Sequence, residues 1–368
     1  MKKQRKNLPA FIIGGAFGVS MGLVGIYAWR VHFPHVGWGG SVLLLLSAVV
    51  AYRLHILLHE VGHLLMGKLS GYTFVSFRVR NTMIVRENGK LVRKKYGVVG
   101  TDGQCLLSPP DLVDGKFPLF LYNAGGVLMN FLLGAVCFGV SLLLSGLLSL
   151  IFLVSAVLGV FIGLINIIPV KIGGMPNDGY NMLLLGRKKN AMTRYAFWVM
   201  LRAEAAQTGG VRPRDFPTEW FDWVETNNLN DPITVTVATL QYAYLLDKGD
   251  LTEARACAQF LLDNAKMIDL HREELLCELL FFELINECRP EEIERIYTKD
   301  LQAYIRATAT YAARQRLLYA YHRLFTKDAV AAIQHLILFC KACETSASLG
   351  EIPGEQELIA VIDEVATP

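Results

Sequence analysis

Charge is scarce in this chain. Only 19% of its 368 residues are charged, against 53% hydrophobic residues and a mean hydropathy of +0.35. That balance excludes a single ordinary soluble domain. The net charge is a modest +3. The basic residues cluster in loops next to apolar stretches, a pattern that sets membrane orientation rather than nucleic-acid binding. Cysteine is sparse as well: seven residues without a dense framework exclude a disulfide-stapled secreted scaffold. Cys340 and Cys343 have the spacing of half a zinc site, but no second pair completes it, and they read as helical core or surface thiols.

The apolar residues are unevenly spread. Long apolar runs fill the chain up to about residue 170, whereas beyond about residue 190 apolar and charged residues alternate as in a soluble helical protein. This predicts a membrane-embedded core over 1–208, a linker over 209–231 and a cytoplasmic helical domain over 232–368. Four spans are expected, near residues 9–29, 39–69, 117–144 and 147–170. The first reads as a retained anchor because it lacks a clear small-residue cleavage site and another span soon follows. Basic residues at 2–6, in the loop after the second span and after the fourth fall on one face if the spans are even in number. That face is the cytoplasm by the positive-inside rule, so both termini are expected there, in a membrane of bacterial type.

The second apolar run ends in His59-Glu60-Val61-Gly62-His63. HExxH on a helix sends two imidazoles the same way, suited to one Zn²⁺, with the glutamate placed to handle the proton of a water. Polar groups inside a bilayer are costly and are seldom kept without a use. His55, one turn earlier, is either a third ligand, a support for one, or, as the preferred reading, a histidine hydrogen-bonded within the bundle. Gly62 lets another helix come close.

Two histidines leave a catalytic zinc one protein ligand short. Pro169, Gly173, Gly174 and Pro176 break the end of the fourth apolar run, and Asp178 follows directly. On its own this segment reads as an interfacial turn; beside an HExxH motif, Asp178 reads as the third ligand. The stretch from Tyr72 to Leu107 is not transmembrane. It partly alternates, and Asn88-Gly89 between apolar pairs predicts a β-hairpin on the inner face of the membrane. Its basic side chains suit anionic lipid, and an edge strand suits an extended substrate segment.

Taken together, these motifs resemble the site-2 protease family of intramembrane zinc metalloproteases (peptidase family M50). The resemblance covers roughly residues 10–185, with Pro176-Asn177-Asp178-Gly179 matching the PxDG pattern and Asn166-Ile167-Ile168-Pro169 matching NxxP. It implies His59, His63 and Asp178 as zinc ligands, Glu60 as the catalytic glutamate and Asn166 as a contact for the substrate carbonyl. Gly125 to Asn130 matches a further family element, with glycine where proline is usual. The spacing from Asn166 to Asp178 is longer than in compact members, and no PDZ or CBS module is apparent.

An interfacial or core helix (192–206) gives way after residue 208 to a Gly-Gly linker. Helices are then expected at 236–246, 251–264, 272–286, 290–297, 301–324, 327–343 and 354–364; the first two resemble a tetratricopeptide hairpin, and a helical-repeat domain is the preferred reading over an unrelated helical bundle. The expected fold is a multi-span α-helical membrane protein with a small inner-face hairpin and a soluble all-α C-terminal domain. Its expected function is zinc-dependent cleavage of transmembrane or membrane-inserted peptides, with a cytoplasmic regulator as a candidate partner of the C-terminal helices. A non-catalytic, zinc-stabilised scaffold is the competing reading, and an intact Glu60 speaks against it.

Overall fold

The computed structural model describes residues 38–87, 89–97, 102–172, 175–221 and 229–367. The expected first span lies outside these residues. Among the described residues, three helices are long and apolar enough to cross a membrane: α1 (Trp38–Leu69), α2 (Phe120–Leu143) and α3 (Gly146–Ile167). They correspond to the expected spans at 39–69, 117–144 and 147–170. Val42, Leu43, Leu45, Leu46, Val49 and Val50 of α1 remain exposed, an apolar surface that suits hydrocarbon better than water. At 32 residues, α1 is about 48 Å long, which exceeds the roughly 30 Å hydrocarbon layer.

The three helices pack together, and α1 meets α2 backbone to backbone. A Cβ added to Gly62 would lie 2.2 Å from the carbonyl oxygen of Gly125, and one added to Gly125 would lie as close to that of Gly62. Only glycine at both positions allows this approach. Helix α3 stops where Pro169 follows Ile168, whose backbone has already turned extended (φ −70°, ψ 121°).

The chain divides into two units, one of residues 1–74, 102–105 and 110–191, the other of 75–101, 106–109 and 192–368. The expected hairpin is present as β2 (Thr82–Glu87) and β3 (Lys90–Lys95), paired antiparallel with Glu87 opposite Lys90. It is part of something larger. With β1 (Thr73–Val79) and β4 (Gly103–Ser108) it forms a four-stranded sheet in the order β3-β2-β1-β4. The two-stranded expectation falls short because β4 carries only a short apolar run, Cys105-Leu106-Leu107, without the alternation that marks a strand.

The second unit is otherwise helical: α4 (Ala191–Thr208), α5 (Pro232–Lys248), α6 (Leu251–Asn264), α7 (Asp269–Ile285), α8 (Pro290–Ile296), α9 (Lys299–Ala307), α10 (Ala312–Ala320), α11 (Ala329–Thr345) and α12 (Ile352–Ala366). Helices α5 and α6 form a hairpin around Gly249, whose φ of 84° is the left-handed conformation that ends α5. Ala254 and Ala258 of α6, one turn apart on one face, are both fully buried. The single helix expected over 301–324 is in fact two. It breaks at Thr308, where the hydroxyl turns back on the carbonyl of Tyr304, and no Gly or Pro advertises the break.

Candidate metal centre

His59 and His63 sit one turn apart on α1, with their Nε2 atoms 3.1 Å apart. Asp178 joins them from beyond α3, its Oδ2 lying 3.1 Å from Nε2 of His59 and 3.4 Å from Nε2 of His63. The three side chains are 12%, 9% and 16% exposed, so water cannot replace the contacts they lack. Among the described residues this is the one His/Cys/Asp/Glu group of three or more suited to holding a metal ion.

The hydrogen bonds behind the rings decide what faces the centre. Nδ1 of His63 is 2.9 Å from the carbonyl oxygen of Tyr122, which can only accept, so that nitrogen carries the proton. Nδ1 of His59 is 2.7 Å from Oδ1 of Asn130, again an acceptor. Both Nε2 atoms therefore present lone pairs. Oδ2 of Asp178 is buried without a hydrogen-bond partner. Three acceptors converging without a hydrogen between them repel one another unless a cation intervenes. Ligand atoms held about 2.0–2.1 Å from a tetrahedral zinc stand roughly 3.3–3.4 Å apart, close to the distances found. The donor set fits. A proton on one imidazole is the alternative relief: burial works to raise the Asp178 carboxyl, yet His63 and His59 hold it well below the usual carboxylate range.

Asn177 delivers Asp178. After Pro169 the chain runs through a small antiparallel ribbon, β5 (Lys171–Ile172) and β6 (Met175–Pro176), and returns to the end of α3. The Asn177 amide donates to the carbonyls of Ile165 (2.8 Å) and Ile168 (2.7 Å), two groups that the broken helix leaves open. Its Oδ1 accepts from the backbone N–H of Val170 (3.2 Å) and of Tyr180 (3.0 Å), capping the turn Asp178–Tyr180. Gly179 completes the approach, since a Cβ there would lie 2.1 Å from the carbonyl oxygen of Ile167.

Glu60 projects into a cleft of about 390 Å³ beside the histidines. The cleft is walled by Tyr52 and Ile56 of α1, by Phe161, Ile162 and Ile165 of α3, and by Asp102 and Gly103 where β4 begins. The backbone N–H of Cys105 donates to the Glu60 carboxylate. Asn166 lines the same cleft, with one amide hydrogen donated to the carbonyl of Ile162 at 3.0 Å. His59, Glu60, His63, Asn166 and Asp178 are thus gathered around one place. His55 is not in the ligand group; it is fully buried and bonded within the bundle. Cys340 is exposed and Cys343 buried on α11, both as free thiols.

Sequence reasoning missed three contributors: Asn130 behind His59, the Tyr122 carbonyl behind His63, and the bracing role of Asn177. Asn130 was visible as the last residue of a family-like element, but its partner was not. A backbone carbonyl such as that of Tyr122 leaves no residue-type signal at all. Three apolar helices and a buried His/His/Asp group together make a membrane-type protein with a candidate metal centre. No family model matches this chain, and no curated protein or solved structure does.

Proposed function

We propose that this chain is a zinc-dependent intramembrane endopeptidase of the site-2 protease type, acting on transmembrane or membrane-inserted peptides. One observation carries the reading: Nε2 of His59, Nε2 of His63 and Oδ2 of Asp178 form a triangle of 3.1–3.4 Å with Glu60 in the adjoining cleft. A structural metal site needs ligands but has no use for an acid–base group facing an apolar cleft.

His59, His63 and Asp178 would hold the metal beside the cleft that Glu60 lines. Bound there, Zn²⁺ supplies a Lewis acid that polarises a carbonyl and makes water acidic near neutral pH. Glu60 takes the proton of the attacking water on a carboxylate oxygen and passes it to the amide nitrogen as the peptide bond breaks. Asn166 turns an amide hydrogen toward the carbonyl oxygen of the scissile bond, where negative charge develops. Ile56, Phe161, Ile162 and Ile165 give the cleft an apolar wall suited to side chains from a membrane segment. In this reading the second unit is cytoplasmic and recruits a substrate or a regulator, and the basic hairpin β2–β3 meets anionic lipid.

The test compares membrane proteomes of cells carrying the wild-type protein or Glu60→Gln. The expected result is a substrate that accumulates uncut and loses its fragments in the variant, while purified Glu60→Gln keeps stoichiometric zinc. Identical fragment profiles from the two strains would defeat the protease reading.

A further inference from the structure

Behind the metal-facing rings lies a second, fully buried set of polar groups that the proposed chemistry does not use. His55 and Asn130 are both 0% exposed. Nε2 of His55 lies 2.9 Å from the backbone carbonyl of Ser155 on α3 and must donate to it. Nδ1 of His55 is then an acceptor in the neutral ring, and it faces Nδ2 of Asn130 at 3.3 Å. The same amide nitrogen also donates to the His55 carbonyl at 2.9 Å. Both amide hydrogens of Asn130 are therefore taken by one residue. Oδ1 is left to point the other way, at Nδ1 of His59, 2.7 Å distant. The donor–acceptor sense runs without conflict from the Ser155 carbonyl through three side chains to the metal-facing nitrogen of His59.

We propose that His55 is a positioning residue for the metal centre: it locks the Asn130 amide, and the amide holds His59 in the tautomer that offers Nε2 to the cation. The inference rests on the metal-centre reading above and adds the device that sets one ligand. The fold makes specific room for it. A Cβ on Gly159 of α3 would lie 2.5 Å from Cε1 of His55 and 2.8 Å from the Asn130 carbonyl oxygen, so any larger residue would displace the ring. A flipped Asn130 would set its oxygen against the His55 carbonyl and its NH₂ against the His59 N–H, both repulsive. Replacing the ring with an apolar side chain leaves one amide hydrogen buried without an acceptor and frees the amide plane to rotate. Partners of metal-bound histidines typically cost about 10–100-fold in metal affinity when removed.

The experiment uses the full chain in detergent, stripped of metal and titrated with Zn²⁺ against a chromophoric chelator, with apo-protein melting as the folding control. Co²⁺ absorption bands report ligand geometry. His55→Leu is expected to weaken zinc binding about 10-fold or more and to alter the cobalt bands. His55→Gln keeps one donor for Ser155 and one acceptor for Asn130, and should recover most of the affinity. Asn130→Leu should cost at least as much as His55→Leu, and the double variant no more than Asn130→Leu alone, because both act through one chain. Wild-type affinity in a folded His55→Leu protein overturns the proposal, as do losses that multiply in the double variant. Should His55→Leu not fold, His55→Phe, which keeps a ring but neither nitrogen, decides: zinc binding weaker by about 10-fold or more supports the proposal, and wild-type affinity overturns it. If the wild-type protein takes up no zinc at all, the metal-centre reading itself fails, an outcome distinct from those.

Discussion

On the proposed chemistry, residues that lie side by side at the centre have separable duties, and substitutions should divide accordingly. Asp178 contributes one of three donors and has no other hydrogen-bond partner for Oδ2, so Asp178→Ala should lower zinc stoichiometry in atomic absorption, unlike Glu60→Gln. Full zinc retention by Asp178→Ala would remove it from the ligand set. Asn166→Ala touches no ligand. It should keep its metal and lose about 10²–10³ in kcat, the usual cost of one donor to a developing oxyanion, leaving a measurable residue of activity in a fluorogenic-peptide assay. Legibility at this scale followed the chemistry. His59, Glu60 and His63 could be read as a group because a helical spacing of four carries the geometry within itself, and Asp178 only beside that motif, since the helix breakers before it read alone as a turn. His55 could be read only as far as a histidine hydrogen-bonded within the bundle, and its link through Asn130 to His59 not at all, because that link depends on which ring nitrogen holds a proton and on partners 75 and 71 residues apart.

Between elements, the centre depends on how closely α1 and α2 approach. Asn130 and the Tyr122 carbonyl reach the histidines only because Gly62 and Gly125 put the two backbones in contact. Gly62→Ala adds a single methyl where 2.2 Å is available, and the partner atom is a backbone oxygen that cannot rotate away. Overpacking of this kind typically costs about 1–3 kcal/mol, and here it also draws both Nδ1 acceptors off their rings. The expected outcome is a lower melting temperature in detergent together with weaker zinc binding. An unchanged melt with normal affinity would show that the helices do not touch there. The elements misjudged from sequence share a physical cause. The break at Thr308 combines a local hydroxyl–carbonyl bond with full burial, and the strand β4 comes from pairing in the sheet, neither leaving a Gly, a Pro or an alternating pattern.

At the scale of the molecule, the two units solve the problem of polar groups in opposite ways. The membrane-type unit buries neutral polar groups and histidines, His55, His63 and Asn130 among them at the candidate metal centre. The helical unit instead buries ion pairs in its own core. Arg316, 0% exposed, binds both oxygens of Glu278 at 2.9 Å and one of Glu355 at 2.7 Å, and lies over the Phe281 ring at 4.1 Å. Tyr242 donates to Glu278 at 3.0 Å. Burial works to raise the Glu278 carboxyl, but Arg316, with Arg314 and Tyr242, holds it below the ordinary glutamate range. A carboxyl depressed in the folded state contributes stability that is complete above its unfolded pKa of about 4.3 and is lost as pH falls through the lower folded value, because the unfolded chain binds the proton first. Urea unfolding followed by tryptophan fluorescence should therefore show the Glu278 share of the acid loss of stability below about pH 4.5. Glu278→Gln should be destabilised at pH 7 by about 3 kcal/mol, the low end for breaking a buried pair because Glu355 still faces the guanidinium. The same variant should lose part of the acid slope. A Glu278→Gln protein as stable as wild type at pH 7, with its acid slope intact, would mean that the ion pair carries no weight in holding these helices together.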